Sequence, residues 1–422
     1  MKSILFFIRQ KLWFFIAFIF NKGLVFIAPL FVSEILTKRE FGILEYGLAG
    51  LGMVINSFIN LGVPSGYPYF KLKNRTENLF NAFNLHYAWL LLFFLVSQVF
   101  HYVFDLKLEY YIALNMAYVL GNQIYISTQL KTEAKIIKAV FFDSGVYLLL
   151  FLFSILAYFD LINSSIYFFN KILLGYSCLY VIYAISRILK IDRLDVFINY
   201  LKVLKYSLPV LVGGILIYFL TVSGRIFVEY FVGGFEIVGI YSFYFRLAAV
   251  VVVIYQIINI VFFRQMYELE PKKLDFYFSI SFIGLYIISI IAFLVSPLIL
   301  PFFSEFYKTT IQENISIHFL LSAQMIFWIA TALLSNIIDR EKLAGKNNIL
   351  FVFLLVALIG MLFLTQSYLD LELFVILHLI AITLAAMIQT ITLARKKIFF
   401  KKSVAVLFLL NIFTFIILFL FY

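Results

Sequence analysis

The feature that most constrains this chain is the recurrence, along its whole length, of apolar runs of about twenty residues separated by short charged turns. A run of that length crosses a hydrocarbon core about 30 Å thick as an α-helix. Such runs fall at roughly 12–36, 43–64, 79–104, 108–130, 138–159, 165–188, 207–232, 237–262, 274–303, 313–338, 348–368 and 371–394, with a thirteenth candidate at 403–422. A β-barrel would instead alternate polar and apolar residues in short segments. With 64% hydrophobic and only 13% charged residues, the chain is expected to be an all-α polytopic membrane protein.

The charges support the same span count. Lys2, Arg9 and Lys11 precede the first run, and the basic residues Lys71, Lys73, Arg75, Lys131, Lys135, Lys138, Arg264, Lys272, Lys273, Arg340, Lys342 and Lys346 all follow even-numbered crossings or precede odd-numbered ones. The same holds for the clusters from Arg187 to Lys205 and from Arg395 to Lys402. The opposite side has only Lys38, Arg39, Lys107, Lys171 and Lys308. The positive-inside rule then places the N-terminus in the cytoplasm, with the first span retained and not cleaved as a signal peptide. The net charge of +11 is thereby explained by topology, with no call for nucleic acid. Cys178, the single cysteine, excludes an internal disulfide framework.

Residues 1–189 read as one six-helix bundle and 206–395 as a second, followed by a basic loop and extra hydrophobic helix at 396–422. Between the bundles, 190–205 alternates apolar residues and charges at helical spacing. This predicts an amphipathic cytoplasmic linker with Ile191, Leu194, Ile198 and Leu201 against acyl chains. A plain solvated tether is the alternative. Phe41-Gly42-Ile43 in the second span is echoed by Val238-Gly239-Ile240 in the eighth, as two repeats would give.

The most unusual stretch is Ser223 to Ala248, two apolar runs meeting at Gly233-Gly234-Phe235-Glu236. Arg225 and Arg246 each lie about 14–17 Å from that turn at the rise of an α-helix. Both are therefore expected near mid-membrane, where a cation costs about 2.5–3.5 kcal/mol on an insertion scale. Lys22 lies inside the first run, and Glu229 is the one acidic residue at comparable depth. Lys22, Arg225 and Arg246 are thus candidate ligands of an anion in a central cavity. The competing explanation is that Arg225 and Glu229, at i and i+4, neutralise one another. Tyr218, Thr221, Arg225 and Glu229 share a helical face. Asn56, Asn60, Asn115 and Asn122 are further cavity-lining candidates, with interhelical hydrogen bonding as the alternative account.

Several chemistries are excluded or disfavoured. Gly345-Lys346 is followed by Asn347, so no phosphate-binding loop is present. His86, His101, His318 and His378 fall in separate spans without metal-ligand spacing, which favours structural roles. No nucleophile-elbow sequence appears, and no enzymatic activity is expected.

Taken in order, Leu208-Pro209, Ser223-Gly224-Arg225 and Val238-Gly239-Ile240-Tyr241-Ser242 resemble the opening of the second bundle in Wzx-type oligosaccharide flippases. These form the polysaccharide-export branch of the multidrug/oligosaccharidyl-lipid/polysaccharide superfamily. Asn21-Lys22-Gly23, Lys38-Arg39-Glu40-Phe41-Gly42 and Leu61-Gly62-Val63-Pro64 are similar to that family's first-hairpin pattern. The family's acidic residue before the arginine is Gly224 here. The resemblance implies a MATE-like, pseudo-twofold pair of six-helix lobes in the bacterial inner membrane. It implies alternating access to a polyprenyl-pyrophosphate-linked glycan destined for O-antigen, capsule or another surface polysaccharide. Lys22, Arg225 and Arg246 would then meet the pyrophosphate. No cofactor is implied beyond a coupling H+ or Na+, and other polysaccharide-assembly membrane proteins are the implied protein partners. A drug/cation antiporter on the same fold is the first alternative, though it calls for an anionic cavity. A membrane-embedded glycan polymerase or glycosyltransferase is the second, though it calls for a larger extramembrane loop or an acidic metal-binding pair.

Overall fold

The structure, a computed structural model, describes residues 2–73, 80–191, 195–256, 259, 266 and 269–420. Arg75, Asp192, Arg193, Leu194 and Arg264, used in the topology and linker arguments, lie outside the described residues. All regular elements described are helical, and eleven helices are long and apolar enough to cross a membrane, or twelve when one bent pair is joined. The chain is an all-α polytopic membrane protein. It divides into two compact units, Met1–Ile215 and Leu216–Tyr422.

The first unit contains α1 (Lys2–Ser33), α2 (Lys38–Ala49), α3 (Leu51–Asn60), α4 (Val63–Pro68), α5 (Phe80–Phe104), α6 (Leu108–Thr132), α7 (Ile136–Asp143), α8 (Gly145–Tyr158) and α9 (Ile166–Ile188). A π-helical turn, Tyr69–Lys73, follows α4. Thr37 starts α2 with a capping box, its hydroxyl accepting from the Glu40 N–H while the Glu40 side chain accepts from the Thr37 N–H. A 55° bend at Ser144 breaks the fifth crossing into α7 and α8.

At the centre stands α6, packed on α2, α3, α4, α5, α7 and α9. It is too polar to pass as a span on hydropathy alone, yet Asn115, Tyr118 and Asn122 are all fully buried. Leu92, Leu95 and Val99 of α5 point outward instead. This inversion is what lipid imposes. Apolar side chains lose nothing by facing acyl chains, whereas amides need partners that only the protein interior provides.

α10 (Val196–Thr221) begins in the first unit and ends in the second. From Val196 onward, the stretch expected to be a separate linker is continuous with the seventh span. Its Val196, Tyr200, Val203 and Ser207, spaced four, three and four apart, form a buried face. Tyr200 Oη lies 2.8 Å from His86 Nδ1, and the Tyr206 ring stacks on Tyr69 at 4.2 Å. Phe197, Ile198 and Leu201 are exposed on the other side. Residues 196–205 are therefore amphipathic, but they belong to one long helix.

The second unit continues with α11 (Gly224–Phe227), a π-helical stretch at Val228–Gly233, α12 (Gly234–Ala248), α13 (Pro271–Ile299), α14 (Glu305–Arg340), α15 (Ala344–Thr365), α16 (Leu371–Ala394) and α17 (Lys401–Phe419). Here α14 is the interior helix, packed on α12, α13, α16 and α17. The thirteenth segment is a docked helix. Asp275 of α13 caps it from outside, its carboxylate accepting the N–H groups of Lys402 and Ser403 at 2.9 and 2.8 Å. Tyr286 Oη meets Thr414 Oγ1 at 2.9 Å. Eleven residues separate the two contacts on each helix, so α13 and α17 run parallel and reach the same depth.

Candidate functional site

The hairpin expected at Ser223–Ala248 forms. Where α10 ends, the N–H groups of Val222 and Ser223 both bond the Tyr218 carbonyl, at 2.8 and 3.2 Å, which loosens one turn. The helix restarts when the Ile226 N–H bonds the Ser223 carbonyl at 2.8 Å. Gly233 (φ 121°) and Gly234 (φ 71°) then turn the chain back, in conformations that side chains with a Cβ strongly resist. Glu236 lies in the first turn of α12, where the helix dipole favours an anion.

The returning strand of the hairpin brings Tyr241 and Phe245 against Gly224 and Arg225. The Arg225 guanidinium carbon lies 4.9 Å from the centroid of the Phe245 ring, within cation–π range. Arg225 is 2% exposed and Arg246 5%, while Glu229 is half-buried. Both arginines are therefore buried within the hairpin. Gly224 has a specific reason to be glycine. A Cβ there would stand 2.0 Å from Tyr241 Oη, because the buried tyrosine hydroxyl occupies the space next to the backbone. Tyr241 was not among the expected site residues. Its signal was present in the sequence as a tyrosine one repeat of the hairpin away from a glycine, but only the register of the turn pairs the two.

Lys22 belongs to the first unit, on α1, and is half-buried. Its neighbour Asn21 accepts, through its carbonyl, a 3.3 Å hydrogen bond from Ser144 Oγ at the α7–α8 bend. Asp143 and Lys131 are the charged groups within electrostatic reach of Lys22. Asp143 itself pairs with Lys131 at 2.6 Å and accepts from Ser127 Oγ at 2.5 Å.

The amide candidates sit in the interior of the first unit. Asn115 Nδ2 donates to Asn170 Oδ1 at 3.1 Å, and Gln98 Nε2 donates to Asn115 Oδ1 at 2.9 Å, which ties α5, α6 and α9 together. Asn60 Nδ2 donates to Asn56 Oδ1 at 2.6 Å, with both residues facing Gly121 of α6. Asn122 Nδ2 bonds the Tyr118 carbonyl at 2.9 Å. Sequence reasoning missed Gln98 and Asn170, and also Gln123, which directly follows Asn122 in α6. Gln123 Nε2 reaches both Tyr176 and Tyr180 at 3.1 Å. Tyr218, at the loosened turn, is half-buried and contributes its carbonyl to the two bonds that break the helix.

Two cavities lie within the second unit. One, of about 600 Å³, is an apolar groove between α16 and α17. The other, of about 240 Å³, is bounded by α12, α13 and α14 and their connections. Neither is lined by Arg225 or Arg246. Among the described residues no group of three or more His, Cys, Asp or Glu side chains could hold a metal ion. No protein-family model, no curated protein sequence and no solved structure matches this chain.

Proposed function

We propose that this protein moves polyprenyl-pyrophosphate-linked oligosaccharide units across the bacterial inner membrane, with the two units acting as the lobes of an alternating-access carrier. The observation that carries the reading is the arginine hairpin. Arg225 is held almost wholly out of solvent, over an aromatic face, inside a membrane helix pair that also carries Arg246. A guanidinium retained at such depth is costly without a function, and its planar fork suits a phosphate better than an ammonium does. The ordered motifs from Leu208 to Ser242, and the wholly intramembrane character of the chain, support a carrier over an enzyme.

Surface glycan in a strain lacking its own exporter is the test. Arg225→Ala is expected to reduce display by about tenfold to a hundredfold, the range of a lost charge-assisted hydrogen bond. Arg225→Lys should fall between Ala and wild type, with all variants inserted at equal levels. If Arg225 serves only to neutralise Glu229, the Arg225→Ala/Glu229→Gln double variant will display glycan normally, and the substrate role is excluded.

A further inference from the structure

Three of the four histidines have an evident place in the packing. His86 Nδ1 meets Tyr200 Oη at 2.8 Å, His378 Nδ1 meets Gln324 Nε2 at 3.2 Å, and the half-buried His101 stacks on Tyr111. Each of these three rings also has one buried nitrogen without a partner among the described residues, as does His318 at Nδ1, but His318, 2% exposed on the central helix α14, is set apart by the space beside it. The groups that could have served are already committed. Tyr244 Oη, on the ring 5.3 Å away, bonds Thr310 Oγ1 at 2.7 Å, and Tyr307 Oη bonds Ser296 Oγ at 2.9 Å.

His318 also lines the 240 Å³ cavity of the second unit. The buried wall of that cavity holds Ser289, Ser296 and Ser322 beside the imidazole, and the rest is apolar. Ser289 and Ser322 spend their protons on the carbonyls of Ser322 and His318, at 2.7 and 2.8 Å, which leaves both hydroxyl oxygens able to accept. The cavity runs from Ser289 to Leu300, at the α13 end of the short α13–α14 connection. Those eleven residues correspond to about 16 Å along a helix. A space of this size with several convergent polar groups meets the conditions for holding water.

We propose that His318 is a proton site inside the second unit, where an imidazole exchanges its proton with water held in this cavity. The neutral ring has one N–H and one lone pair. Uptake of a proton from cavity water places it on the lone pair, giving an imidazolium that donates from both nitrogens, and release reverses the step. The titratable groups facing the ring are the phenols of Tyr244 on α12 and Tyr307 on α14, while α13 presents Phe293 and the serine hydroxyls. Among the described residues no carboxylate, ammonium or guanidinium acts on it. A charge formed here would be compensated by water and hydroxyl dipoles alone, so protonation should alter the packing of α12, α13 and α14 around it. This inference is independent of the cargo.

The experiment is ¹⁵N NMR of histidine-labelled full-length protein in lipid nanodiscs, followed between about pH 4 and 8, the range in which an imidazole changes charge. Single His→Gln substitutions at 86, 101 and 378 assign the His318 resonances by elimination, even if His318→Gln does not fold. The His318 nitrogens are expected to pass from the neutral to the imidazolium pattern as the pH falls. Filling the cavity with Ser322→Leu should suppress the His318 transition in protein that remains folded. A His318 signal that stays neutral over the whole range overturns the proton site. A transition that survives Ser322→Leu in folded protein overturns the cavity as the route.

Discussion

The first hairpins of the two units are built to the same plan from different materials. In the first unit, α1 is joined to α2 by the Thr37–Glu40 capping box, and Glu40 also accepts from the Ile166 N–H at 3.2 Å, so the turn is tied to α9. In the second, the turn is a pair of positive-φ glycines with open space around them. The interior helices are likewise equivalent in order, since α6 and α14 are each the fourth crossing of their unit. Charge is distributed in opposite ways. The first unit keeps its ion pairs, Lys71–Glu133–Lys135 and Lys131–Asp143, at one end of α6. The second buries arginines within its hairpin. Matching Gly42 to Gly239 places Ala49 opposite Arg246, so that arginine has no counterpart. The two hairpins thus share a plan but differ in where they keep their charge, with the buried arginines confined to the second.

The sharpest way to break this comparison is at the arginine itself. Arg246→Ala should reduce glycan display by about tenfold or more, the scale of a lost charged hydrogen bond, whereas Ala49→Leu at the matching position should leave display unchanged. Equal losses from both would mean that the hairpins differ in packing and not in chemistry.

Next in size is the glycine pair Gly224 and Gly23. Gly224→Ala places a methyl group in the space of Tyr241 Oη and should lower the midpoint of thermal unfolding, at a cost of about 1–3 kcal/mol as for other overpacked sites. Combining it with Tyr241→Phe should restore part of the loss. A Cβ at Gly23 would meet only Ile27 Cδ1, at 4.0 Å, so Gly23→Ala should raise helix stability by about 0.5–1 kcal/mol.

A smaller effect is expected where the first unit uses amides. Asn115→Leu severs the Gln98–Asn115–Asn170 bridge and should cost about 0.6–1.7 kcal/mol, read from the resistance of the detergent-solubilised protein to unfolding. A neutral result would show that lipid-like packing alone holds α5, α6 and α9 together.

The smallest concerns the charges at the end of α6. Hydrogen bonding to Lys135 is the main cause that holds the Glu133 carboxyl below its ordinary 4.5, opposed by burial and aided by Lys71. A folded-state value below the unfolded one means that this contribution is complete above about pH 4.5 and is lost as the pH falls through the lower, folded value. Stability should therefore be the same for wild type and Glu133→Gln at low pH and differ by less than about 1 kcal/mol at pH 7. A difference that persists at low pH would assign Glu133 a role other than its charge.

The sequence by itself determined the all-α polytopic class and the hairpin at Ser223–Ala248. Each depends on apolar run length and a fixed rise per residue, which lipid enforces locally by requiring every backbone group to be paired within its own helix. Even α6, too polar to stand out by hydropathy, is marked by the seven-residue repeat of Asn115, Asn122 and Gln129. Other features were decided only by tertiary structure. The stretch at 190–205 reads as a linker because its charges and apolar residues alternate, yet the buried face that starts at Val196 exists only because the first unit supplies contacts such as His86 to meet Tyr200. Gly224 reads as the loss of an acidic residue until the turn register sets Tyr241 against it. His318 is indistinguishable from His86 and His378 in sequence, since each is a lone imidazole in an apolar run. What separates them is whether a neighbouring helix supplies a hydrogen-bond partner or a cavity, and run length and rise per residue carry no information about that.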